Sequence, residues 1–202
     1  MNKRTLAINV LEAWSAGSGK AEGAFLDAVP ALDADGLPYL PGRTLKGLLR
    51  EAILRLEEAG GCDAGSASKL FGTRSSGQDR YTTSPGLMRV DSARLPLAVR
   101  THLQQHTKLK AGLFHDVFQT AIDDTTGVAR SRSLRSARLA VPMTLWANIV
   151  ALKPVTAEQW AALEASLAWL DGVGNGRTRG LGRCVAGFVV STVEKQGASN
   201  HG

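Results

Sequence analysis

Residues 36–50, Gly-Leu-Pro-Tyr-Leu-Pro-Gly-Arg-Thr-Leu-Lys-Gly-Leu-Leu-Arg, leave the backbone few choices. Pro38 and Pro41 hold their neighbours extended, and Gly42 permits a sharp change of direction. Leu45, Leu48, Leu49, Ala52, Ile53 and Leu56 then recur at helical spacing, with Thr44 in the place of an N-cap. The segment therefore reads as an extended arm, a turn and a helix. Arg43, Lys46 and Arg50 fall in the first turns of that helix. Free backbone N–H groups and the positive end of the helix dipole already attract phosphate there. Such a junction suits an anionic polymer.

The rest of the 202 residues agrees with a basic, globular protein. Formal net charge is +6, with 44% hydrophobic and 21% charged residues, which favours an acidic partner such as nucleic acid. Cys62 and Cys184 form no CxxC pair, which argues against a zinc site or a disulfide framework. No apolar run approaches the ~20 residues of a membrane span, and no signal-peptide core follows Met1. The expected setting is the cytoplasm, with no membrane partner.

Residues 5–14 mix β-branched and apolar side chains and read as a first strand. Residues 15–20 lack the leading glycine and the trailing Ser or Thr of a phosphate-binding P-loop, because Trp14 and Ala21 occupy those places. Asp27, Asp33 and Asp35 follow in a loop, and each suits the cap of a turn. Residues 60–63, Gly-Gly-Cys-Asp, stop the first helix. Residues 87–93 read as a strand. Residues 94–118 carry His102, His106 and His115 without a recognisable ligand pattern, and with Arg100, Lys108 and Lys110 they read as a solvated basic face. Arg130, Arg132, Arg135 and Arg138 lie within nine positions, a density that belongs in solvent or on phosphate. Residues 145–152 read as a buried strand. Thr156 and Gln159 form a capping box for a helix whose apolar face holds Trp160, Leu163, Leu167 and Leu170, with Trp169 beside it. Its tryptophans are assigned to the core.

Residues 172–183, Gly-Val-Gly-Asn-Gly-Arg-Thr-Arg-Gly-Leu-Gly-Arg, hold five glycines and three arginines. A tight helix-to-strand connection needs one or two glycines. Gly174, Gly176 and Gly180 permit close backbone approach, while Arg177, Arg179 and Arg183 supply charge, a combination that recognises phosphate irrespective of sequence. A last strand follows, and residues 196–202 form a tail. The order strand, helix, strands, helix, strand predicts an α+β, ferredoxin-like (RRM-like) βαββαβ core over residues 1–195, with a helical insertion and a β-hairpin at about 119–143. The RRM aromatic pair is missing, so base stacking on the sheet is not expected.

The motifs also carry a family resemblance. Residues 40–50 resemble the proline-glycine, leucine-lysine-glycine, arginine motif of the RAMP superfamily, and residues 172–183 resemble its glycine-rich loop. Residues 70–78 are similar to its Phe-Gly turn. Residues 122–130, Ile-Asp-Asp-Thr-Thr-Gly-Val-Ala-Arg, resemble the thumb segment of type III CRISPR backbone subunits, although the usual glutamate after the arginines is replaced by Ser136 and Ala137. The resemblance implies a guide-RNA-binding backbone subunit of a type III effector complex. Its partners would be guide RNA, complementary target RNA and other effector subunits, including copies of itself or paralogues. RNA contacts are implied at Arg43, Thr44, Lys46, Arg50, Arg130, Arg132, Arg135, Gly174, Gly176, Arg177, Arg179, Gly180 and Arg183.

Residues 26–33 are similar to the loop that carries the catalytic aspartate of those subunits, with Asp27 at that position and Asp33 as the competing assignment. Metal-dependent cleavage of target RNA with Mg2+ or Mn2+ is the implied activity. A non-catalytic structural or capping subunit is the alternative. The guide-processing endonuclease of these systems relies on a histidine early in the chain, whereas the first here is His102.

Overall fold

The computed structural model describes residues 2–17, 29–73, 83–130 and 133–189. In chain order the elements are β1 (Lys3–Val10), α1 (Gly42–Glu58), α2 (Ser66–Phe71), β2 (Met88–Val90), α3 (Leu97–Gln105), β3 (Phe114–Gln119), β4 (Arg135–Ala140), β5 (Met143–Ala151), α4 (Ala157–Ser166) and β6 (Cys184–Phe188).

Four strands make the main sheet in the order β2-β5-β1-β6, and every neighbouring pair is antiparallel. β1 and β2 are thus parallel to each other with β5 between them, and α1 connects them. β5 and β6 stand in the same relation, with α4 as their connection. This is the expected α+β, ferredoxin-like arrangement. Alternation along the strands decides the faces. Leu6, Ile8 and Val10 of β1 and Leu145, Ala147 and Ile149 of β5 point into the core. Facing them are Leu45, Leu48, Leu49, Ala52, Ile53 and Leu56 of α1, and Trp160 and Leu163 of α4. Each such Leu or Ile contributes about 1.5–3 kcal/mol by leaving water. The capping box of α4 is present in both directions: Gln159 N–H donates to Thr156 Oγ1 and the Gln159 side chain accepts from Thr156 N–H. Cys62 and Cys184 are free thiols, and burial pushes Cys184 up to about 11.

The insertion between β2 and β5 contains α3, a 3-10 segment at Thr107–Leu113, and a second sheet in which β3 pairs β4. Its hairpin continues outward through an Ile122–Ala129 bridge. The paired strands start at Phe114, earlier than the sequence suggested, and Met143 already belongs to the main sheet. Trp14 and Ala140 exchange backbone hydrogen bonds, which fixes the hairpin to the exit of β1.

Three expectations need correction. Thr44 does not cap α1: the helix starts at Gly42 with Pro41 before it, and Thr44 sits in the first turn. Trp169 is not core, being 42% exposed. Residues 145–152 do not form a strand buried on both sides, because Trp146 on β5 is 45% exposed.

Candidate nucleic-acid interface

The glycine-rich loop, far from the first motif in sequence, reaches α1 at Glu51, just past that motif's end. Arg43, Lys46 and Arg50 lie three and four residues apart and so share one side of the helix. Arg43 and Thr44 are exposed at its N-terminus, whereas Lys46 and Arg50 are partly buried. Pro41 has no side-chain hydrogen bond to offer the first turn, and Gly42 N–H donates to Ser92 Oγ at 3.0 Å. The N–H groups of Arg43 and Thr44 have no intrahelical partner, as at any helix start. Gly42 is required by packing, since a Cβ there would lie 2.6 Å from the Val90 carbonyl oxygen. Arg50 turns inward, with Nε donating to the Gly72 carbonyl at 3.4 Å.

The glycine-rich loop lies against the middle of α1. Arg177 approaches Glu51 at 3.7 Å, and Arg55 approaches Asp171 at 3.9 Å. Gly176 and Gly180, both with positive φ, flank a 3-10 turn at Arg177–Arg179, so Arg177 and Arg179 point out beside exposed Arg183. Gly174 is needed for a different reason: it has φ +79°, and a Cβ there would meet the Ser15 carbonyl oxygen at 2.5 Å. Asn175 N–H donates to the same carbonyl at 2.8 Å. Part of the glycine content therefore serves the docking of this loop on the exit of β1, and part leaves the arginines exposed.

Asp27 and Arg132 lie outside the described residues. The residues that flank the Asp27 segment are nevertheless fixed. Gly17 and Pro30 form a β-bridge, and Gly17 lies against the Asn175 side chain of the glycine loop. The competing aspartate, Asp33, is enclosed, with 3% of its side chain accessible. Its Oδ1 accepts from the N–H groups of Asp35 and Leu37 at 3.0 and 3.1 Å. Its Oδ2 accepts from Arg94 at 3.1 Å and faces Arg100 at 3.2 Å. Arg100 also donates to Asp35 at 2.7 Å, and the Lys110 ammonium donates to the Asp35 carbonyl at 2.8 Å. The Arg100 guanidinium beside Asp35 holds that carboxyl below its ordinary range. Arg100 and Lys110 were expected in a solvated basic face; they instead clamp the turn at residues 33–37.

Along the hairpin, Arg130 and Arg135 are exposed, with Arg130 3.6 Å from Asp123. Arg138 makes a bidentate pair with Asp116 at 2.8 and 3.2 Å, which lowers the Asp116 carboxyl. At the tip, Asp123 Oδ1 accepts from the N–H groups of Thr125 and Thr126 at 3.0 and 3.1 Å, and these bonds lower its carboxyl too. The Asp and Thr of this motif thus build the turn.

A profile of the RAMP superfamily matches residues 8–185. The chain belongs to the RAMP superfamily. No curated protein matches it. Two solved structures agree in fold. A chain of the cryo-EM structure of the type III-B Cmr-beta bound to cognate target RNA superposes with a TM-score of 0.68 at 12% identity, over 92% of this chain and 96% of that one. A chain of the type III-B Cmr-beta apo state gives 0.66 at 13%, over 94% and 98%.

Sequence reasoning missed one feature of this RAMP fold. A groove of about 700 Å³ opens where α1 meets the uncovered face of the sheet, lined by Tyr39, Arg43, Arg89, Arg94, Trp146 and Asn148 among others. The signal was available in residues 145–152: Asn148 stands two positions from Trp146, which puts both on one face, away from Leu145, Ala147 and Ile149. Among the described residues no group of three or more His, Cys, Asp or Glu side chains converges to hold a metal ion. The Asp33 carboxylate is taken up by two guanidiniums. His102 on α3 and His106, the residue just after it, are exposed with rings stacked at 4.3 Å.

Proposed function

We propose that this RAMP protein is a backbone subunit of a type III CRISPR effector complex, which binds guide RNA along α1 and the glycine-rich loop without reading its sequence. The observation that carries this reading is the Arg177–Glu51 approach, which sets the exposed Arg177–Arg179 turn beside α1, the helix whose first turns hold Arg43 and Lys46. Exposed guanidiniums, free helix N–H groups and close backbone approach all favour phosphate over base edges. The hairpin with exposed Arg130 and Arg135 adds to the basic surface, and other effector subunits, copies of this chain or paralogues, would continue it. The likeness in fold to chains of the Cmr-beta structures supports the same assembly, with the cytoplasm as its setting.

Cleavage of guide-paired target RNA is the second part of the proposal. It is assigned to Asp27, with Mg2+ or Mn2+ as the required ion, in the segment that follows Gly17, which lies against Asn175 of the glycine loop. Asp33 is left out, because its carboxylate is already committed to the turn it closes.

The first part is tested by binding of a labelled single-stranded guide over a salt series. Each phosphate contact on a single strand contributes about 0.7 to the slope of log K against log salt. Arg43→Gln with Lys46→Gln should weaken binding and lower the slope by about 1.4. A double variant with the wild-type slope removes α1 from the interface. For the second part, the assembled complex carrying Asp27→Ala should bind target RNA and lose its cuts. Unchanged cuts would make this chain a scaffold or cap.

A further inference from the structure

The uncovered face of the main sheet carries a feature that phosphate recognition leaves unused. Trp146 projects from the middle of β5 and is 45% exposed, whereas Trp14 and Trp160 are buried. Its cross-strand neighbour on β1 is Ala7, and beyond that stands Gly187 on β6. Neither has a side chain large enough to cover an indole. On the other side the backbones of Trp146 and Arg94 exchange two hydrogen bonds, at 2.7 and 2.9 Å, so their side chains share this face.

Trp146 and Asn148 belong to two adjoining hollows: the groove of about 700 Å³ toward α1, and a smaller one of about 240 Å³ toward Thr5 and Val189. The larger lies within the roughly 300–1,000 Å³ of small-ligand clefts. Its rim is cationic. Arg43, Arg89 and Arg94 line it against one carboxylate, Asp91, which Arg89 engages at 3.3 Å. Tyr39 closes the end beneath Arg94, whose guanidinium lies 5.2 Å from the ring centre. A flat aromatic surface in a shallow cleft with guanidiniums around it matches one ligand chemistry: an unpaired base whose phosphates reach the rim.

We propose that Trp146 is a stacking platform for a single unpaired RNA base, with Arg43 and Arg89 holding its flanking phosphates. The site rests on the reading of this chain as an RNA-binding subunit and adds a base contact to it. The proximity of Arg43 makes the groove continuous with the N-terminus of α1. The strand thus passes from the phosphate surface of the helix onto the sheet, where one base is turned toward the indole.

The test compares two probes on the full chain: a fluorescein-labelled oligouridylate, and a ribose-phosphate oligomer of the same length without bases. Fluorescence anisotropy over a salt series gives affinity and slope for wild type, Trp146→Ala and Trp146→Phe. One stacked base should make wild type prefer the base-bearing strand by about 5- to 150-fold. Trp146→Ala should abolish that preference with an unchanged salt slope, and Trp146→Phe should restore most of it. Equal affinity of wild type for the two probes would overturn the stacking site and leave the phosphate interface standing. So would a Trp146→Ala protein of normal melting temperature that keeps the full preference. Failure of wild type to bind either probe would remove the RNA-binding reading and this site with it.

Discussion

Replacement of Asp33 by Ala tests whether this aspartate is part of the scaffold or of the chemistry. The carboxylate accepts from two backbone N–H groups at 3.0 and 3.1 Å and holds Arg94 and Arg100 at 3.1 and 3.2 Å. Hydrogen bonds to a charged group contribute about 1.5–3 kcal/mol each, and an uncharged one about 0.5–1.5 kcal/mol. Arg94 is 42% exposed and Arg100 24%, so both regain water when the carboxylate is removed, and their ion pairs count for little. The N–H groups of Asp35 and Leu37 are the larger loss, because the turn has no other acceptor for them at that place. The two bonds sum to about 3–6 kcal/mol. For a chain of this length 3 kcal/mol lowers the melting temperature by about 6–12 °C.

Asp33→Asn keeps the acceptor toward the backbone and turns an N–H2 toward two guanidiniums, so it should lose about half as much. Urea unfolding followed by circular dichroism measures both. A loss below about 0.5 kcal/mol for Asp33→Ala would refute the structural role. An Asp33→Asn complex of native stability that no longer cuts RNA would place the chemistry at Asp33 instead.

Two further predictions concern stability. Gly174→Ala and Gly180→Ala both place a side chain at positive φ, which costs about 1–2 kcal/mol. Only Gly174 adds a contact, at 2.5 Å from the Ser15 oxygen, and Gly180 has nothing within 4 Å. Gly174→Ala should therefore melt several degrees below Gly180→Ala, and equal melting points would deny the docking of the loop on residue 15. Asp35, Asp116 and Asp123 are all held below the ordinary carboxyl value by their hydrogen bonds. Depressed folded values mean that their stabilisation is complete above the unfolded value of about 3.9 and is lost as pH falls below it. Carbon-detected NMR titration should find all three midpoints under about 3.9, with the Thr125 and Thr126 amides following Asp123. A midpoint above 4 for Asp123 would contradict the turn.

Most of the fold was legible in local pattern. The helical spacing from Leu45 to Leu56, the capping box at Thr156 and Gln159, and the alternation around Leu6 and Leu145 each report one short-range rule, and together they yield the βαββαβ order. The start of α1 was misplaced because a Thr near a helix start resembles a cap. Pro41 instead presets the turn, and Ser92 from beyond β2 takes up the Gly42 N–H. Arg100 and Lys110 looked solvated because nothing near them in sequence is acidic; their partners at residues 33–35 precede α1 in the chain.

The sequence by itself determined the architecture and the basic character, because these depend on periodicity, turn chemistry and composition, which act over a few residues; the family was legible through the resemblance of its motifs. Only the tertiary structure decided which residues meet. It set the Arg177–Arg179 turn beside α1, closed Asp33 between two guanidiniums and left Trp146 uncovered. Each of these depends on contacts between segments tens to more than a hundred residues apart, where burial and charge pairing are properties of the neighbour and not of the residue.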